Sequence, residues 1–487
     1  MTDENPQDPR NAQDPQDPSS PGDPREGDGL AAARAFAAAL FDEGTAVPLA
    51  DGASPAGAGE VDGRDVCLAV AAGPGDAAGA DAESRVRALA AGTGRPLVTV
   101  VDAGEVTDPR AFGDLARTGV ALSGVVPQVS VVLGAADGAR ALLLPLADVV
   151  VAVPSARSAL AEPAAARVVT GLDREAGALG GAELHARTTG RFAHVADDAA
   201  GAAEFVRDLL AHLPSNNRAS APRLPEPAPD PAEEDPDLAD ALPARAGAPY
   251  DVREVLARLA DDGGDGPGPL ELHAAHAPQL VTALVHLDGW STGVVAPQPA
   301  VRGGVLDADA AAKAARFVRL CDAFGLPVLT LVDTAGALPA GEDDDGAPTA
   351  ALAQLLYAYA EATVPLLTVV TGRAHGPARL VLGSRHVGAD LVLAWPRALT
   401  AARDEVATAT ATATASATAA APGTAEDWAR AVHEAARAAG PEAAVRDREV
   451  DAVVDPARTR ARLAAALRLL HRKSGHQPAR RHGNVPL

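Results

Sequence analysis

The apolar positions of this chain fall into short runs of Val, Leu and Ile, closed by Gly or Pro and alternating with longer Ala-rich stretches. PLLTVVT, Pro365 to Thr371, is one such run, and ADAAAKAARFVRLCDAFG, Ala308 to Gly325, is one such stretch. A short run without polar alternation is apolar on both faces, the pattern of a strand buried in a mainly parallel sheet between helices. Its alternation with helical sequence predicts an α/β architecture. DAGEV and DTAGA follow their strands directly, while GAADGA and RAHGPA follow theirs and open into helical sequence. Backbone N–H groups lack partners at such strand-to-helix turns, which makes them candidate seats for a negative oxygen.

The pattern occurs twice. LFDEGTAVPL, from Leu40, has a counterpart in LADDGGDGPGPLEL, from Leu259, and GEVDGRDVCLAV, from Gly59, is echoed by VHLDGWSTGVVA, from Val285. RPLVTVVDAGEVTDP, from Arg95, returns as LPVLTLVDTAGALPAG, from Leu326. VPQVSVVLGAADGARALLLPLADVVVAVP, from Val126, returns as VPLLTVVTGRAHGPARLVLGSRHVGADLVLAWP, from Val364. The spacings agree: 231 positions from Asp102 to Asp333, 238 from Pro127 to Pro365 and 242 from Asp148 to Asp390. Four echoes in one order predict a duplicated domain.

Polar and low-complexity stretches frame the halves. Residues 1–29, rich in Asp, Pro and Gln, are expected to be disordered. Residues 218–248, which include EPAPDPAEEDPD, read as a linker, and the Ala/Thr tract Val406 to Gly423 is left open between a weak helix and a loop. The expected domains are 30–217 and 249–440, with a C-terminal helix and tail over 441–487.

Composition narrows the function classes. A chain of 487 residues is too long for one ordinary core. Hydrophobic residues make up 47% but aromatic ones only 3%, so the core is built from Ala, Val and Leu on closely packed backbones. A net charge of −23 argues against a basic face for nucleic acid or an anionic membrane. No signal-peptide pattern opens the chain and no run of about 20 apolar residues crosses it, so a cytoplasmic location is expected. Cys67 and Cys321 are isolated and read as small buried hydrophobes, not as a zinc or disulfide framework.

As a set, these segments resemble the carboxyltransferase (β) subunits of biotin-dependent acyl-CoA carboxylases of the acetyl- and propionyl-CoA type. The resemblance covers most of residues 31–487. It extends to GGAELHARTTGRFAHVADDAAGAAEFVRDLLAHLPSNN from Gly180, PYDVREVLARL from Pro249, LLYAYAEATVP from Leu355 and ARRHGNVPL from Ala479. It implies two tandem crotonase-like domains, each a ββα superhelix, an acyl-CoA substrate and no metal. The implied partners are a biotin carboxylase and biotin carrier subunit and further copies of the chain, as a trimer of dimers. Biotin must come from the partner, because the only Met is Met1 and no Met-Lys-Met carrier motif is present. In the implied reaction carboxybiotin releases CO2, the biotin anion takes a proton from the α-carbon of a short acyl-CoA, and the enolate attacks CO2. Both negative oxygens need donors, and a backbone amide aimed where charge develops contributes roughly 3–4 kcal/mol.

Carried over residue by residue, the family's first Gly-Gly-Ala run falls on Gly138, Ala139 and Arg140, and its second on Gly376, Pro377 and Ala378. The amides of Gly138, Ala139, Gly376 and Ala378 are therefore the candidate oxyanion donors, and Pro377 has no N–H to offer. Gly303, Gly304 and Gly336 stand where the family has residues near biotin or CoA, Gln298 and Asp333 also stand where the family has them, and Leu380 stands where it has a residue lining the acyl pocket. Departures accompany them. Ala103 to Thr107 replaces a Ser-Gly-Gly-Ala-Arg turn and introduces Glu105, Ala71 to Glu83 replaces a Gly-Gly loop that helps receive CoA, and Ala350 and Ala351 replace an Arg-His pair. These departures leave open a second reading, a catalytically impaired paralogue acting as a structural or regulatory partner in a carboxylase complex. A third, a crotonase-like hydratase, needs a pair of positioned glutamates of which only Glu105 offers itself. His375 and His386 read as structural or solvent-facing, and Arg140 and Arg379 as solvated surface arginines.

Overall fold

The computed structural model describes residues 25–49, 54–72, 77–102, 106–224, 234–243, 248–261, 268–338, 347–401, 440–471 and 473; Glu105 and the 406–423 tract lie outside them. The first half runs α1 (Arg25–Leu40), β1 (Val47–Pro48), β2 (Gly57–Val61), β3 (Arg64–Ala72), α2 (Ala77–Thr93), β4 (Leu97–Asp102), α3 (Pro109–Leu122), β5 (Gln128–Val132), β6 (Ala135–Asp137) and α4 (Ala139–Leu143). It continues through β7 (Val149–Ala152), β8 (Arg157–Ala159), α5 (Pro163–Thr170), α6 (Ala176–Gly180), α7 (Ala182–Arg187), β9 (His194–Val195) and α8 (Ala199–His212). Its seven-stranded sheet has the order β1-β2-β3-β4-β5-β7-β9, antiparallel up to β3 and parallel beyond it, with β6 and β8 forming a separate parallel pair.

The second half repeats this plan. It comprises α9 (Val252–Leu259), β10 (Leu270–Leu272), β11 (Leu280–Leu287), β12 (Trp290–Pro297), α10 (Ala308–Ala323), β13 (Val328–Thr334), α11 (Ala347–Glu361), β14 (Leu366–His375) and α12 (Ala378–Val381). Then follow β15 (Leu391–Ala394), β16 (Leu399–Ala401), α13 (Pro441–Arg446), β17 (Ala452–Val453) and α14 (Thr459–Leu470). The order β10-β11-β12-β13-β14-β15-β17 again begins with antiparallel pairs and ends with parallel ones, and the last residues of β14 pair with β16 as β6 pairs with β8.

Local chemistry explains the repetition. Each half opens with a hairpin whose two-residue turn is Asp-Gly with both residues at positive φ, Asp62 and Gly63 at 51° and 71°, Asp288 and Gly289 at 53° and 76°. That is the turn whose twist matches the strands it joins. An upstream carboxylate accepts from the turn glycine in both cases, Asp42 from Gly63 N at 2.9 Å and Asp261 from Gly289 N at 2.6 Å. The helix that closes each half then supplies arginines to these acids. Arg207 of α8 donates to Asp42 and Asp62, Arg460 of α14 to Asp261, and Arg468 to both oxygens of Asp288.

One apolar cluster, from Ala33 to Val450, runs through both halves, and a second covers the other face of the second sheet. The sequence-based boundaries shift at three places. Helix α1 begins at Arg25, inside the stretch expected to be disordered to residue 29. Within the expected linker, Leu238 and Leu242 are buried in the second cluster and Leu224 N donates to Gly289 O at 2.8 Å, so its described parts pack on the second half. Strand β17 pairs with β15 and α14 buries Leu463 and Leu467, so the second sheet and its core extend past residue 440.

Candidate active site

In both halves the polypeptide approaches its turn across a carboxylate. Asp102 ends β4 and Asp333 lies in β13, and a Cβ on Gly134 or on Gly372 would overlap the respective carboxyl group. Only glycine lets the following strand lie this close. Asp333 is buried and accepts from Arg373 N at 3.1 Å and Arg373 Nε at 2.9 Å, which fixes the start of the segment leading to Gly376. Burial, and then the neighbouring Asp333, push the Tyr250 hydroxyl above its ordinary pKa, so it stays protonated beside Thr371.

The two turns have one geometry. Gly138 has φ 59° and Gly376 φ 60°, each directly before or within one residue of a short helix. A side chain is strained at such φ. Among the described residues the amides of Ala139 and Ala378, the first residues of α4 and α12, meet no backbone acceptor. Gly138 is different: its N–H donates to Ala159 O at 2.8 Å, so it closes the β6–β8 pair and is not a free donor. Pro377 sits at φ −59° and ψ −28°, the φ its ring prefers, and opens the helix without strain. Among the described residues, the buried polar atoms without a hydrogen-bond partner include Asp137 Oδ1, Arg140 Nε and Ser158 Oγ around the first turn, and His375 Nδ1 before the second. Orphaned atoms of this kind are rare in cores and commonly mark functional ground.

The charges differ from the sequence expectation. Arg140 is 3% exposed, not solvated, and donates to Glu83 Oε2 at 2.8 Å, while Arg87 donates to Glu83 Oε1 through Nη2 at 2.8 Å. Burial raises the Glu83 carboxyl, but the two guanidinium groups outweigh it and hold its pKa below the usual value. Two cations on one anion leave net positive charge on this cluster, which includes Arg140, the residue after Ala139. Arg379 is likewise engaged, donating to both oxygens of Glu449 at 2.6 Å. Burial, then Arg373, lower the pKa of His375, which disfavours a proton on its ring. Leu380 and His386 line one small cavity beside α12.

Gly303, Gly304 and Gly336 are brought together with Asp333. The first two have φ 68° and the third 120°. Ala335 N donates to Gly303 O at 3.1 Å, Thr334 Oγ1 to Gly304 O at 2.7 Å, and Arg373 Nη2 reaches Gly303 O at 3.4 Å. Gln298 faces elsewhere: its Oε1 accepts from Val252 N at 3.1 Å and its Nε2 donates to Asp251, anchoring α9. Among the described residues no hydrogen bond or ion pair links the first turn to the second. The glycines under the two carboxylates, Gly134 and Gly372, were visible in the sequence as the first glycine of GAADGA and GRAHGPA, at matching repeat positions. Glu83 and Glu449 carried no comparable signal. Among the described residues no group of three or more His, Cys, Asp or Glu could hold a metal ion, and no helix is long and apolar enough to cross a membrane. Cys67 and Cys321 are free and buried, and burial raises the Cys67 thiol to about 11.

A family model described as the carboxyl transferase domain matches residues 26–485. The biotin-dependent acetyl-/propionyl-coenzyme A carboxylase beta5 subunit of Mycobacterium leprae is 37% identical over 476 residues, covering 92% of this chain and 84% of that protein. The propionyl-CoA carboxylase beta chain of Saccharopolyspora erythraea is 38% identical over 81% of this chain and 75% of its own length. Among solved structures, that of transcarboxylase 12S, described as a hexamer with hydrolysed methylmalonyl-coenzyme A bound, superposes with a TM-score of 0.85 at 32% identity over 94% of this chain and 93% of that one. The duplicated α/β fold, the paired glycine turns and these likenesses agree, and the chain belongs to the carboxyl transferase family.

Proposed function

We propose that this chain is the carboxyltransferase subunit of an acyl-CoA carboxylase, moving a carboxyl group from carboxybiotin on a separate carrier protein to the α-carbon of acetyl-CoA or propionyl-CoA. The observation that carries this reading is the repeated turn: a glycine near φ 60° in each half, followed by a helix whose first amide has no acceptor among the described residues. Biotin, when its carrier delivers it, supplies the carboxyl group and the base. The chain's own part is electrostatic. In this reading Ala139 N–H donates to the thioester oxygen, with Arg140 and Arg87 adding positive charge behind it, and Ala378 N–H donates to the biotin ureido oxygen. Each donor acts only as charge develops, so it favours the transition state over the bound substrate.

The two turns are not joined within the described chain, which suits a composite site between copies, and the hexamer described for transcarboxylase 12S supports a homohexamer here. The proposed domains meet over residues 218–248, and the proposed location is the cytoplasm. Nothing observed favours the impaired-partner reading. The test is carboxyl transfer from a carboxylated biotin carrier to a panel of acyl-CoA thioesters. Carboxylated acetyl- or propionyl-CoA is the expected product, and absence of transfer to every short thioester overturns the proposal.

A further inference from the structure

The duplication lets one charged position be compared with its copy. In the second half the carboxylate of Asp390, just before β15, accepts from Leu366 N at 2.8 Å, and the Lys473 ammonium joins it, at 2.7 Å, to Val364 O, at 3.1 Å. Arg385 donates to Ala389 O and Asp390 O, both at 3.1 Å, and pairs with Asp451 at 3.5 Å. Two cations there meet two anions. The first half has the same frame: Asp148 accepts from Gln128 N at 2.8 Å, and Arg316 donates to Ala147 O at 2.7 Å and reaches Asp148 O at 3.5 Å. Its set is one cation and one anion. Among the described residues no donor meets Val126 O, although Val126 is wholly buried, and no carboxylate forms an ion pair with Arg316. No lysine of the chain completes it. Lys473 serves Asp390, and Lys313, the only other lysine, gives its ammonium to His273 O, His276 O and Leu280 O at 2.9, 2.8 and 2.7 Å. Burial raises the Asp148 carboxyl to about 6, although the Gln128 N–H and Arg316 act to lower it.

Space accompanies these charges. Asp148 and Arg316 both line a cleft of about 710 Å³ between the two halves and a smaller cavity of about 200 Å³ beside it. The cleft has the size of a small-molecule site and lies where such sites concentrate, between domains. Val120 of α3, Leu146 and Leu320 of α10 give it apolar walls, and Arg319, also on the cleft, is already paired with Glu361 at 3.0 Å. We infer that this cleft binds a free amino acid with an apolar side chain, its ammonium on Asp148 and Val126 O and its carboxylate on Arg316. The ammonium then stands where Lys473 stands in the second half, the carboxylate does for Arg316 what Asp451 does for Arg385, and the side chain covers the apolar walls. A plain amine would set two cations against one carboxylate. A plain acid would place a second anion beside Asp148. The site sits at the starts of β5 and β7, whereas the first turn follows the end of β5, so the inference is independent of the carboxyltransferase reading. Because the ligand ties α10 to the first half, binding stabilises the folded pair.

The experiment titrates the full-length protein calorimetrically with L-leucine, with isopentylamine, which is leucine without its carboxylate, and with isocaproate, which is leucine without its ammonium. Melting curves accompany each titration. L-leucine is expected to raise Tm, to bind with a Kd below about 1 mM, and to bind about tenfold or more tighter than either fragment, since each fragment lacks one charged contact. The titrations are repeated on Asp148→Asn, whose amide oxygen still accepts from Gln128 N, and on Arg316→Gln, which still offers an N–H to Ala147 O. Asp148→Asn should remove leucine's advantage over isocaproate, and Arg316→Gln its advantage over isopentylamine, a selectivity that a general loss of packing does not produce. If one variant fails to fold, the other variant and the three wild-type titrations still decide. No binding of leucine by the wild type overturns the inference, as does leucine binding whose preferences neither variant alters. Equal binding of leucine and isopentylamine overturns the part given to Arg316, and equal binding of leucine and isocaproate the part given to Asp148.

Discussion

Replacing Pro377 by glycine asks whether the second turn acts through its amides. Pro377 holds φ −59° and ψ −28° at the start of α12. A glycine adopts that backbone without strain and adds one N–H beside that of Ala378. Two effects oppose each other. The freer unfolded chain lowers stability by about 0.4–1 kcal/mol, too little to unfold a domain of ordinary stability. The added donor acts on an oxygen that already has one amide, so its effect should lie below the roughly 10²- to 10³-fold seen for removing a donor. An increase in kcat of about tenfold or more is expected, equivalent to about 1.4 kcal/mol of transition-state stabilisation. The assay is carboxyl transfer to propionyl-CoA by both proteins, with CoA binding followed by calorimetry and melting curves as a control on folding. Equal binding with a faster variant supports the donor role. Fast wild-type transfer that the substitution leaves unaltered refutes the placement of the oxyanion at this turn.

Gly372→Ala drives a Cβ into the Asp333 carboxylate and should cost about 1–3 kcal/mol by overpacking; urea denaturation showing no loss refutes the close approach. His212 and His273 are lowered from 6.5 to about 3, chiefly by burial and then by His286 and Lys313 respectively. Both are neutral when folded, the unfolded chain binds more protons between pH 3 and 6.5, and stability therefore falls as pH drops through this window. The loss between pH 7 and 5 is about 2 kcal/mol for each histidine. Urea titrations at the two pH values check it, and the difference should shrink by about half in His212→Gln. Asp288→Ala removes the carboxylate that Arg468 grips, and because the Arg468 side chain is half exposed and can rehydrate, the loss of stability should be about 0.5–1.5 kcal/mol, with the protein from Pro441 onward becoming more open to proteases; unchanged proteolysis in that region contradicts the clamp.

The strands and the duplication were legible because burial leaves a pattern. β5 and β13 lie between parallel neighbours with every residue buried, so they read as Val/Leu runs broken only by polar residues that are themselves buried, Gln128, Ser130, Thr330, Asp333 and Thr334. The turns were legible because positive φ demands glycine at Gly138 and Gly376. What the turns do was less so. The bond from Gly138 N to Ala159 depends on β6 and β8, three residues each with no apolar rhythm. Arg140 and Arg379 looked solvated because their partners, Glu83 and Glu449, lie 57 and 70 positions away and ion pairs have no period. Leu238 and Leu242 were hidden in Pro- and Asp-rich sequence, where composition speaks for the majority of residues and packing depends on two.

The closing helices fix an order of events during synthesis. The first half has its sheet by β9 and its arginine clamp in α8, so all of its strands and its clamp have been made by His212. It can fold while the second half is still being translated, as N-terminal domains commonly do. The second half waits. Until β17 and α14 follow, β15 has an open edge, Trp395 lacks the Thr459 hydroxyl that accepts its indole N–H at 2.9 Å, and the acids of the second Asp-Gly turn lack Arg460 and Arg468. An open edge invites strands from other chains. The folded first half meanwhile offers a surface for the second to assemble on, through Ala193 O, which receives His273 N, and Ala147 O, which receives Arg316. A ribosome stalled near residue 440 therefore carries one finished half and one half exposed to aggregation, and the stretch from β17 to α14 is the part whose translation ends that exposure.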